Sequence, residues 1–288
     1  MAPPTRRRLL LAAVATALAF SLPFLVVRIV RTPSNDREWH PAQRVLPRVS
    51  VSGDRVGIRN VRDFAYRSDA DFDQQYVDRT YDLGKLDSVW YGVSRFGAIP
   101  GLAHSFLTFG FGDEYVAISV EARKEADETY SPFRGLLRQY ELMYVIGTER
   151  DVIGLRTDVW QEDVHLYPVR ATPEAMRRAF LDMVTRAEKL ARSPEFYNTL
   201  TSSCSSNIVR HVNAISPGHV RAGLHTILPG YSDRLAYRLG LIDSDLPFER
   251  LRGAFRIERS RRFAADDDFS AAIRARLPTP HGRRDSPR

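Results

Sequence analysis

Cysteine is nearly missing from this chain: Cys204 is the single one in 288 residues. One thiol excludes an internal disulfide framework. It leaves three roles, namely a pairing partner for another chain, a small buried hydrophobe or a reactive group. Lysine is almost as scarce, at Lys85, Lys124 and Lys189 only. Arginine therefore supplies nearly all of the 42 basic residues that, against 35 acidic ones, set the net charge at +7. That excess fits either composition bias or attraction to an anionic membrane face. No internal repeat and no nucleic-acid-binding motif is present, so nucleic acid is not expected as a partner. His211, His219 and His225 match no usual ligand spacing, and Pro217-Gly218 interrupts any helix they could share. No metal or other cofactor is expected.

Long apolar runs are also rare, with one exception. Arg6-Arg7-Arg8 precedes the uncharged residues 9–27, which Arg28 and Arg31 close. As a helix that run spans roughly 28 Å, about the thickness of a bilayer core. The basic flank favours cytoplasm on its own side. Residues 1–31 are therefore expected to form an uncleaved, single-pass anchor in the inner membrane, with the remaining chain in the periplasm. A cleaved signal peptide ending at Ala17-Leu-Ala19 is the alternative. Residues 32–49, polar with three prolines, read as a linker. Residues 50–250 are long enough for one domain with a proper core. Residues 251–288 read as a charged tail, partly disordered.

Within the domain, β patterning dominates first. Residues 79–84 read as an edge strand, and residues 88–96, 103–110 and 115–121 as successive strands, the last two joined by a hairpin at Gly112-Asp113. Residues 141–146 form another, and residues 164–169 one near an edge because of Pro168. Helical spacing follows. A short helix starts at Pro132 behind Ser131, and the clearest one starts behind Thr172 and ends before Pro194. Others start at Cys204 and Asp233. The fold class is α+β: an antiparallel sheet of five or six strands packed by the Thr172 and Cys204 helices.

A thiol at a helix N-terminus sits at the positive end of the helix dipole, which favours thiolate, and unpaired first-turn N–H groups could hold an oxyanion. Cys204 is preceded by the Ser/Thr-rich turn Asn198-Thr-Leu-Thr-Ser-Ser203. Such a nucleophile needs a base. Among seven histidines, His104 stands out because it begins a hydrophobic strand behind a Gly/Pro loop. Glu121, sharing a strand face with Ser119 and Arg123, could orient its ring. Taken alone, each residue also fits a structural role: a packed histidine, an inert cysteine, a solvated strand end.

Five stretches together resemble the Lnb N-terminal periplasmic domain family, and they cover about residues 50–225. They are residues 58–67, 78–83, the Ala103-His-Ser-Phe-Leu-Thr-Phe-Gly-Phe111 strand, the Ile118-Ser-Val-Glu-Ala-Arg-Lys-Glu125 strand and the Thr199-Leu-Thr-Ser-Ser-Cys-Ser-Ser-Asn207 turn. The family resembles circularly permuted papain-like enzymes of the NlpC type, in which the histidine strand precedes the cysteine helix. The resemblance implies a Cys-His thiol site, with Cys204 and His104 as the catalytic pair. It also implies acyl transfer to lipoprotein N-termini with a membrane phospholipid as donor. Arg123, Lys124 and Ser203 are candidates for substrate binding. Hydrolysis of a peptide or ester at the same site is the alternative, as is a non-catalytic module that binds lipid or a partner.

Overall fold

The apolar stretches between residues 88 and 147 build the centre of a sheet. A computed structural model of the protein describes residues 31–97, 99–215, 220–221, 223–258 and 268–279, together with Arg6, Arg7 and Ala15. Its strands are β1 (Arg48–Ser52), β2 (Arg55–Arg62), β3 (Ala65–Tyr66), β4 (Phe72–Asp73), β5 (Tyr76–Asp82), β6 (Ser88–Arg95), β7 (Ala103–Phe111), β8 (Glu114–Arg123), β9 (Glu141–Gly147) and β10 (Asp163–Pro168). Eight of them form one sheet, in the order β1-β2-β9-β8-β7-β6-β10 with β5 also on β2; β3 and β4 make a separate ribbon. Its pairings are antiparallel except at β2–β9, which meet in parallel through Arg62 and Gly147. The sheet exceeds the expected five or six strands by β1, which is short with no fully buried residue, and β2, whose three arginines among eight residues obscure a strand pattern.

Every residue of β9 is buried, as expected of a strand covered on both faces. β10 lies at the end of the sheet and Pro168 is its last residue, where a missing N–H is tolerated. The β7–β8 hairpin closes at Phe111 and Glu114. Gly112 there takes φ 73°, the left-handed first position of a two-residue turn.

The helices are α1 (Pro132–Leu136), α2 (Glu149–Gly154), α3 (Pro173–Arg192), α4 (Cys204–Ile215), α5 (Leu224–Ile227), α6 (Ser232–Arg238), α7 (Phe248–Ala254) and α8 (Phe269–Arg274). Thr172 caps α3 by accepting from the Ala175 N–H at 3.2 Å. The helix lays Phe180 edge-on against Tyr81, Phe109 and Phe111. On the opposite face, Val152 and Ile153 of α2 and Phe269 and Ile273 of α8 pack with Trp90, Phe106 and Met143. Helices thus cover both faces of an α+β sheet.

Two expected boundaries change. Residues 32–47, expected as a linker, are strapped along the ends of β8 and β9. Trp39 is buried, and Asn35 donates to the Leu190 carbonyl at 2.9 Å. The tail expected from residue 251 contributes Leu251, Phe255, Ile257, Phe269 and Ile273 to the interior. Its apolar residues are too sparse among charges to show a period, but Leu251 and Phe255 join the core on the α3 side, and Ile257, Phe269 and Ile273 join the one on the opposite face. Arg274 closes that side. Its guanidinium donates to both Glu149 carboxylate oxygens at 2.6 Å and lies 3.7 Å over the Tyr115 ring. Thr108 donates to the same carboxylate at 2.6 Å. Apart from Arg6, Arg7, Ala15 and Arg31, the expected anchor lies outside the described residues, as do residues 280–288. Among the described residues, no helix is long and apolar enough to cross a membrane.

Candidate active site

The two-residue turn at 112–113 sets the register that builds the first half of the site. It pairs Phe106 with Ser119, and the same register continued places His104 opposite Glu121. Side chains alternate along a strand, so Ser119 and Glu121 project on one face. His104 Nε2 lies 2.7 Å from Ser119 Oγ, Ser119 Oγ donates to Glu121 Oε1 at 2.6 Å, and His104 Nε2 is 3.3 Å from that same oxygen. The ring therefore points Nε2–H at a hydroxyl backed by a carboxylate. This leaves Nδ1 as the basic nitrogen for a reacting partner.

Cys204 neighbours that ring in the same cleft. Asn198 and Ser202 pair across a tight turn through their backbones, and Asn198 Oδ1 accepts from the N–H groups of Leu200 and Thr201 at 3.0 Å. Asn207 Nδ2 donates back to the Ser203 carbonyl at 2.9 Å. The turn is thus fixed where α4 begins, and Cys204 is its first residue. Ser205 Oγ meets Ser105 Oγ at 3.2 Å, docking the helix start onto β7 next to His104.

The electrostatics match a nucleophile and base. Burial pushes the Cys204 thiol up, but the charge and hydrogen bond of His104 and the Ser105 N–H outweigh it and bring the thiol down to about 7. Burial pulls His104 down, while Glu121 and Cys204 raise it above the usual imidazole value. Burial likewise raises Glu121, but His104, Arg156 and Ser119 hold it down at about 2. The arrangement favours thiolate facing imidazolium, with an ionised carboxylate behind.

Arg156 is the group that sequence reasoning missed. It is buried, donates to Glu121 Oε1 at 2.8 Å and to the Val152 carbonyl at 2.7 Å, and stands 5.5 Å over the Phe106 ring. It reaches there because α2 continues into a π-helical turn, Leu155–Val159, an irregularity frequent at functional sites. Asp151 anchors α2 through a buried bidentate pair with Arg62, at 2.6 and 2.8 Å. No spacing in the sequence links position 156 to position 121.

Of the proposed substrate-binding residues, Lys124 and Ser203 line the same cleft, of about 350 Å³, as Cys204, His104 and Glu121. Arg123 does not. It is buried under the N-terminal strap, donates to the Gln43 and Arg44 carbonyls at 3.0 and 2.7 Å and stacks 4.0 Å over Trp39. Strand alternation alone grouped it with Ser119 and Glu121; the strap covers its end of β8. Glu162 joins the cleft wall, accepts from Ser94 Oγ and is raised by burial. The other described histidines are engaged elsewhere. His211 bridges Tyr144 and Asp182, His165 contacts Arg95, His225 meets the Arg221 carbonyl and His40 caps a turn.

A cysteine at a helix start, a histidine on the neighbouring strand and a carboxylate behind it define a thiol site in an α+β fold. Residues 72–230, more than half of the chain, match the family described as the Lnb N-terminal periplasmic domain, and the chain belongs to that family. The match contains the whole constellation and leaves out the resembling stretch at residues 58–67. It supports a periplasmic, envelope-associated role. No curated protein and no solved structure matches the chain.

Proposed function

We propose that the protein is a thiol acyltransferase tethered to the inner membrane through residues 9–27, with its domain in the periplasm. The observation that carries this reading is that Cys204 shares one cleft with His104, whose ring is held by Ser119 and Glu121. The order of histidine strand before cysteine helix agrees with a permuted papain-like architecture.

The Cys204 thiolate attacks the acyl carbonyl of a phospholipid ester. N–H groups at the start of α4 stabilise the tetrahedral oxyanion. The ester C–O bond breaks, and imidazolium His104 gives its proton to the leaving alcohol oxygen. An amine, such as a lipoprotein N-terminus, then attacks the thioester. Neutral His104 takes the amine proton, the C–S bond breaks and thiolate is restored. Glu121, ionised and held by Arg156, keeps the ring oriented and supports its charged form.

The test is to supply phospholipid vesicles with and without a lipoprotein-derived peptide carrying a free N-terminal amine. Acyl-peptide should form and depend on Cys204. Release of free fatty acid at the same rate with or without the peptide would assign hydrolysis to the site instead.

A further inference from the structure

Nine large hydrophobic side chains are exposed among the described residues. Tyr130, Trp160 and Ile227 line the mouth of the Cys204 cleft. Phe133 and Leu200 each follow a lining residue, Pro132 and Thr199. Ile99 shares an adjoining hollow with Trp160, and Tyr231 ends the turn that starts at the lining residue Pro229. Only Val45 and Val51 lie elsewhere in sequence. Isolated exposed hydrophobics are ordinary, but several gathered in and beside one cleft mark an interaction surface.

The start of the described chain says what covers this cluster. Arg31 pairs with Glu125 at 3.0 Å, and Glu125 follows Lys124 on the cleft wall. The apolar run ends four residues before Arg31. Four residues reach at most about 14 Å even when fully extended. A bilayer holding residues 9–27 must therefore lie within that covalent reach of Arg31. Two tyrosines and a tryptophan are the side chains enriched at the headgroup level of membranes. Exposed Arg134, beside Phe133, and Lys124 add the positive charge that anionic lipids attract.

We infer that the rim of the Cys204 cleft is seated in the bilayer surface, its aromatic and aliphatic side chains among the headgroups and upper acyl chains. A lipid then passes from the bilayer to Cys204 without crossing water. This inference rests on the proposed tether at residues 9–27 and is independent of the chemistry proposed for Cys204.

The chain carries its own probe. Trp39 and Trp90 are 4% and 2% exposed, while Trp160 is 43% exposed. The experiment reconstitutes the full chain, as Cys204→Ala so that turnover plays no part, into vesicles of phosphatidylethanolamine and phosphatidylglycerol. Part of the lipid carries brominated acyl chains. Tryptophan emission should be quenched by the brominated lipid, and that component should vanish in Trp160→Phe. Ile99→Glu combined with Phe133→Glu, both at exposed positions, should abolish most of the quenching. Equal quenching with and without Trp160, or Trp160 still open to aqueous iodide, would overturn the inference. So would shielding of Trp160 that requires an added lipoprotein rather than lipid, which would make the rim a protein-docking face.

Discussion

His104→Ala should lower turnover by about 10²–10⁴-fold, the usual contribution of a positioned acid–base group, and should move the Cys204 thiol upward. The direction follows from the balance at the sulfur. Burial raises the thiol and His104 is the main opposing influence, so its removal leaves burial dominant. Alkylation rate against pH should have its midpoint near 7 in the native chain. In the variant it should lie above the free-thiol value of about 8.5. Because Cys204 is the only cysteine, each alkylated molecule reports this site. Turnover in the native chain should rise with pH as the thiolate forms, then fall as His104 loses the proton it must donate. Glu121→Gln removes the main influence raising His104, so it should shift that falling limb to lower pH. An unchanged alkylation midpoint in His104→Ala would separate the two residues functionally.

Arg274→Ala should be a heavily destabilising change away from the site. The Arg274 side chain is 9% exposed and that of Glu149 is 0% exposed, so the pair lies inside the protein. Removing one partner of a buried pair leaves the other uncompensated, at a cost of about 3–5 kcal/mol. The lost contacts of α8 with Trp90 and Tyr115 add to it. Arg274→Lys keeps the charge but not the two-pronged contact and should lose less. Guanidinium unfolding at unchanged slope measures both. A loss below about 1 kcal/mol, the range of surface pairs, would mean that the tail does not complete the core.

The site was legible in the sequence in proportion to how local its parts are. The His104–Glu121 pairing follows from one two-residue turn and strand alternation. The start of α4 at Cys204 follows from its Ser/Thr turn and the apolar spacing behind it. That His104 and Cys204 meet across 100 positions came from family resemblance, because neither periodicity nor composition encodes that contact. Arg156 was invisible, since a π-helical turn breaks the regular spacing on which helical readings depend. Arg123 was misassigned for the complementary reason. Its partners Asn35, Gln43 and Arg44 lie some eighty positions upstream in a segment whose prolines and polarity read as a linker. The tail was misread likewise, its few apolar residues being spaced to fit sheet faces already built by others.

A covalent acyl group on Cys204 is the central intermediate, and intact-mass spectrometry reads it directly. The full chain is incubated with phospholipid vesicles in the absence of any amine acceptor. One added acyl mass should appear, located at Cys204, released by hydroxylamine as a thioester should be, and absent from Cys204→Ala. Acyl transfer proceeding in Cys204→Ala, or an adduct that persists in that variant, would contradict that intermediate.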